Sequence, residues 1–100
     1  MAERRRQRRI PVRVDSYWKT TSTSGMGHVS DLSAGGCRVI CSLSLAVGDQ
    51  TVLTMYFGSN GTMTLQGRVV SIGAKSIGIK FEKMTSSLQY QIGEVLSSLN

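Results

Sequence analysis

Residues 50–82 read QTVLTMYF-GSNG-TMTLQGRVVSI-GAK-SIGIKFE, and this stretch decides the fold. Its first segment, 50–57, is rich in β-branched and aromatic residues, which suit a pleated surface. Gly58-Ser59-Asn60-Gly61 is a strong hairpin turn. A long strand follows over 62–72, then a turn over 73–75. The chain returns over 76–82 with Ile77, Ile79 and Phe81 on one face, the period of two that a half-buried strand requires. Successive strands joined by short turns predict an antiparallel sheet that closes into a barrel.

Upstream, Pro11 excludes a helix interior. Val12, Val14 and Trp18 then alternate with Arg13, Asp15 and Lys19, a first strand. The Ser-, Thr- and Gly-rich stretch 20–27 predicts a turn, and 28–32 a short second strand. Asp, Ser and paired Gly make 31–36 a compact turn. A third strand over 36–41 points Cys37, Val39 and Cys41 inward. The connection 42–49 closes at Gly48-Asp49. Downstream the period changes. Leu88, Ile92, Val95, Leu96 and Leu99 recur at spacings of three and four, a helix face. Ser86-x-x-Gln89 offers a capping box, and Gly93 weakens the helix by about 1 kcal/mol relative to Ala. The expectation is an all-β domain over 10–100, a six-stranded antiparallel barrel with a C-terminal helix at about 86–99 plugging one mouth. Residues 1–9 form a flexible basic arm, too charged to bury.

One hundred residues support one domain. It should bury about two-thirds of the surface its unfolded chain exposes, which leaves function to the surface or the barrel rim. The net charge is +6, and most of it is local. Residues 1–13 hold six arginines against Glu3, a net of +5, whereas residues 14–100 hold six basic and five acidic residues. A basic device of this kind meets a polyanion or a phosphate. Every basic residue in the arm is arginine, whose planar fork grips phosphate with two parallel bonds and stacks on bases. No apolar run approaches the roughly 18 residues of a membrane span, and the N-terminus lacks a secretory apolar core. On one strand, Cys37 and Cys41 would stand about 13 Å apart, beyond the roughly 7 Å limit of a disulfide. Free thiols suit the cytoplasm.

Two constellations carry chemistry. Arg4, Arg5, Arg6, Arg8 and Arg9 form a basic run that solubility or nonspecific nucleic-acid contact would also explain. Asp31-Leu32-Ser33-Ala34-Gly35-Gly36 reads in two ways. Asp31 and Ser33 can bond nearby backbone N–H groups as an ordinary turn. Alternatively, the carboxylate accepts from the N1–H and N2–H₂ edge of guanine, Ser33 adds a hydrogen bond, and Gly35 and Gly36 let a ligand approach the backbone. His28 with Cys37 and Cys41 lacks zinc spacing and a fourth ligand, so no metal is expected. Trp18, Tyr56 and Phe57 read as core, and Arg68 as a solvated strand residue.

Together the constellations are more specific. Arg5-x-x-x-Arg9 followed by Asp31-x-Ser33-x-x-Gly36 resembles the paired motifs of PilZ domains, bacterial receptors for cyclic di-GMP. Arg9-Ile10-Pro11-Val12, Gly67-Arg68-Val69-Val70 and Ile77-Gly78-Ile79-Lys80-Phe81 resemble that family's strands. The resemblance implies that Arg5 and Arg9 bind phosphates and guanine Hoogsteen edges, that Asp31 and Ser33 hold a guanine, and that Gly36 keeps the turn open. It further implies that Arg4 accompanies two stacked, intercalated ligands, although Arg4-x-x-x-Arg8 offers an overlapping register.

The leading expectation is a non-enzymatic cyclic di-GMP receptor that needs no cofactor and changes its surface for an effector protein. No nucleophile is paired with a base, and no two carboxylates stand at useful spacing. The arm, ordered on the ligand, would be the switch. The alternative is a small barrel binding single-stranded nucleic acid through the arm. That class uses exposed aromatics for stacking, and here the six aromatics mostly occupy core-like positions. A third reading is a PilZ-like interaction module without ligand binding, against which the intact motif residues argue. The sequence leaves open whether the chain is a monomer or a dimer.

Overall fold

The computed structural model describes residues 9–42 and 45–99. The other members of the basic run, Arg4, Arg5, Arg6 and Arg8, lie outside the described residues, as does the rest of the arm.

Six antiparallel strands form a closed barrel: β1 (Ile10–Lys19), β2 (Ser24–Leu32), β3 (Gly36–Ile40), β4 (Gln50–Tyr56), β5 (Thr62–Ile72) and β6 (Ser76–Glu82), followed by helix α1 (Ser86–Leu99). The order around the barrel is β1-β2-β3-β6-β5-β4. Two three-stranded meanders therefore meet at both seams, β3 against β6 and β4 against β1. Closure removes the edges an open sheet would expose.

Alternating side chains fill the interior. Val14, Val29, Leu32, Val39, Leu53, Met55, Leu65, Val69, Ile77 and Ile79 are buried. Each such aliphatic side chain contributes about 1.5–3 kcal/mol on burial. Cys37, Val39 and Cys41 all point inward, and both cysteines are free. The helix follows the expected face: Ile92 is buried, and Leu88, Val95 and Leu96 pack on the core beside Val12 and Phe57. Leu99 falls off that face and is exposed. No helix among the described residues is long and apolar enough to cross a membrane.

Three local readings need correction. The first turn is short, and β2 begins at Ser24 rather than at residue 28. Gly25 and Gly27 are strand residues, because a side chain at Gly25 would strike the Trp18 ring and one at Gly27 the Ile40 carbonyl. Ser16, which the sequence reading did not assign, lies inward with Val14 and Trp18, fully buried, its hydroxyl without a partner among the described residues. Tyr56 is exposed rather than core, since Met55 takes the inward position beside it. The helix cap is Thr85, whose Oγ1 accepts from the Leu88 N–H at 3.1 Å, while Gln89 Nε2 donates to the Met84 carbonyl at 3.1 Å. Ser86 is thus the first helical residue and not the cap.

Candidate nucleotide-binding face

The start of β1 and the end of β2 bring the two sequence constellations together. Ile10 pairs with Leu32 and Pro11 with Asp31, so Arg9 enters the barrel beside Asp31. Leu32 is fully buried. The alternation turns Asp31 outward, and a bulge between Val29 and Asp31 re-aims the strand there, a common device next to functional sites. Arg9 Nη1 lies 2.5 Å from Asp31 Oδ1. The Arg9 side chain is 58 % exposed and that of Asp31 26 %, so the pair remains accessible to a ligand.

Ser33 sits differently. It is 3 % exposed. Its Oγ accepts from the backbone N–H groups of Gly35 at 3.3 Å and Gly36 at 3.2 Å, and it donates to the Gly36 carbonyl at 3.2 Å. The Ser33 N–H donates to the same carbonyl at 2.9 Å. Of the two readings of this turn, the hydroxyl follows the local one. The Asp31 carboxylate does not: it faces Arg9. Gly36 is buried where β3 crosses β6, and a Cβ there would come closer than 3.0 Å to the Ile79 carbonyl oxygen. The Gly35 carbonyl accepts from the Phe81 N–H at 2.9 Å. Ser33 and Gly36 thus fix the shape of the turn that presents Asp31.

The interior responds to the same charges. Burial pushes the Cys37 thiol up to about 12, Asp31 raises it further, and Arg9 opposes them. The thiol stays protonated and unreactive beneath the face. Burial also raises Cys41, partly offset by the Trp18 indole. The Trp18 N–H is buried and makes no hydrogen bond among the described residues.

The same outer face carries residues that the sequence reading passed over. Arg13 Nη1 lies 3.1 Å from His28 Nε2. Arg38, cross-strand from Asp31, reaches Ser76 Oγ at 3.0 Å and Ser71 Oγ at 3.3 Å. The signal for Arg38 was available: it stands between inward Cys37 and Val39, directly after the turn. Arg68 lies elsewhere, tied to Glu82 and the Gly48 carbonyl, both at 2.9 Å. It is a paired strand residue. No group of three or more metal-ligating side chains occurs among the described residues.

The structure is a closed barrel with two meanders, a C-terminal helix and an Arg–Asp contact joining the start of β1 to the β2–β3 turn. The chain belongs to the PilZ domain family, whose model matches residues 3–97. It is similar in structure to the PilZ domain of CeSA from a cellulose-synthesizing bacterium, with TM-score 0.79, 18% identity and coverage of 92% of this chain and 97% of that one. The PilZ domain of YcgR from Escherichia coli, solved with c-di-GMP, gives TM-score 0.86 and 18% identity, covering 96% and 91%. The K. pneumonia MrkH-c-di-GMP complex gives 0.77 and 18%, covering 95% of this chain and 52% of that one. No match arises among curated proteins.

Proposed function

We propose that this domain is a non-enzymatic receptor for cyclic di-GMP. The observation that carries the reading is the Arg9–Asp31 contact, which joins the arginine motif to the aspartate turn on an accessible face. Three of the similar structures, two of YcgR and one of MrkH, were solved with c-di-GMP, which supports the choice of ligand. Arg5 and Arg9 take phosphate oxygens and guanine N7 and O6, for which the arginine fork is suited. Asp31 leaves Arg9 to accept the N1–H and N2–H₂ edge of guanine. Ser33, Gly35 and Gly36 hold the turn in place. Arg4 with Arg8 extends the arm for a second, stacked ligand.

The ligand exchanges one internal ion pair for several charge-assisted bonds and changes the surface around Arg9 and Asp31. That altered surface is the output, read by an effector protein. The two free cysteines are compatible with a reducing, cytoplasmic setting. Competition separates this reading from single-stranded nucleic acid. Labelled cyclic di-GMP should be displaced by unlabelled cyclic di-GMP and not by GTP or a short oligonucleotide. Oligonucleotide binding that collapses with salt, with no cyclic di-GMP binding, would overturn it.

A further inference from the structure

The arginines at 9, 13, 38 and 68 are described, and they divide into two kinds. Arg9 and Arg68 face carboxylates, Asp31 and Glu82. Arg13 and Arg38 form no salt bridge among the described residues and are held by neutral acceptors, the His28 ring nitrogen and the Ser71 and Ser76 hydroxyls. Neither has a carboxylate within salt-bridge distance among the described residues, and Arg38 stands cross-strand from Asp31.

Arg38 is the better built of the two. It is half-buried, and its guanidinium lies across β6 rather than extending into water. Gly78, its cross-strand partner on β6, makes the room: a side chain there would collide with Ser71 Oγ and crowd Arg38 Nη2. The bulge between Val69 and Ser71 brings the second serine within reach. Two of the five guanidinium N–H donors are engaged by the serines, and the rest meet no acceptor among the described residues. A positively charged fork fixed in this way has already lost the rotamer freedom that binding would otherwise cost.

We propose that Arg38 is a further phosphate-gripping arginine of the site, holding the ligand over the β3–β6 face on the far side of Asp31 from Arg9. The inference rests on the cyclic di-GMP reading. A cyclic dinucleotide carries two phosphates on opposite sides of its ring, and Arg9 stands on one side of Asp31 while Arg38 stands on the other. Strands β2 and β6 are two spacings apart, roughly 10 Å. A second cation there meets a ligand whose first phosphate is held by Arg9.

The test is equilibrium binding of cyclic di-GMP to wild type, Arg38→Gln, Arg38→Lys and the double variant Ser71→Ala/Ser76→Ala, at low and moderate salt, with thermal melts as the folding control. Arg38→Gln should bind about tenfold more weakly, as expected for a lost charge-assisted bond, and its affinity should vary less with salt. Arg38→Lys should fall between, keeping the charge without the fork. The double variant should lose affinity several-fold while keeping every charge. Wild-type affinity and salt dependence in Arg38→Gln would overturn the inference and leave the receptor reading intact. If Arg38→Gln does not fold, wild-type affinity in the serine variant overturns it instead. Failure of the wild type to bind would sink both.

Discussion

Arg9 and Asp31 are 22 residues apart in sequence and meet at 2.5 Å on the outer face of the barrel. Their contact is exposed, and exposed ion pairs contribute about 0–1 kcal/mol to stability. Asp31→Asn should therefore shift the thermal midpoint little while weakening cyclic di-GMP by more than about tenfold, the scale of a lost hydrogen bond to a charged group. Paired melts and titrations check this. A large loss of stability would make the pair structural instead.

Gly36→Ala should behave in the opposite way. Its Cβ would be driven into the Ile79 carbonyl, backbone that shifts only if β3 and β6 separate. The expected cost is about 1–3 kcal/mol, as for overpacking elsewhere. Urea unfolding should show a lower midpoint with little change in slope.

Ser33→Ala removes the acceptor for two backbone N–H groups inside a buried turn. Leaving them unsatisfied should cost about 1–3 kcal/mol. Binding should weaken because Asp31 is no longer held in place. A crystal structure of the variant with ligand would show a displaced turn.

Cys37 gives a pH signature. Its folded pKa lies above that of an unfolded thiol, so the unfolded chain releases this proton first as pH rises. The stability it contributes is complete below about pH 9 and is lost progressively toward pH 12, at up to about 1.4 kcal/mol per pH unit. Cys37→Ala should flatten that part of the profile relative to wild type. The wild-type thiol should also resist alkylating reagents at neutral pH until the domain unfolds.

Thr85→Ala should cost about 0.5–2 kcal/mol, the usual value of an N-cap, and Ser86→Ala almost nothing. Equal effects in thermal melts would contradict the cap geometry.

These residues also mark how far the sequence could be read. The bounds of β5, β6 and α1 follow from alternation, hairpin glycines and helix period, which are local signals. The start of β2 did not, because Gly25 and Gly27 look like turn formers until their neighbours Trp18 and Ile40 are in place. The cap moved by one residue because Thr85 and Ser86 are chemically interchangeable there. At the site, the resemblance to the PilZ motifs paired the arginine run with the Asp31 turn, and the register of β1 on β2 supplied the Arg9–Asp31 contact. Spacing could not show that the Ser33 hydroxyl turns inward, which depends on the fold of its own turn. Nor could it show that Arg38 bridges to Ser71 and Ser76, residues more than 30 positions away.

The central claim is that one site, with Arg9 and Asp31 as its two sides, binds cyclic di-GMP. Calorimetric titration of cyclic di-GMP into wild type and Arg9→Ala tests it most directly. The account predicts saturable binding to wild type, with one or two ligands per chain, and its loss in Arg9→Ala with the fold intact by circular dichroism. Equal binding to both proteins, or none to wild type, would contradict it.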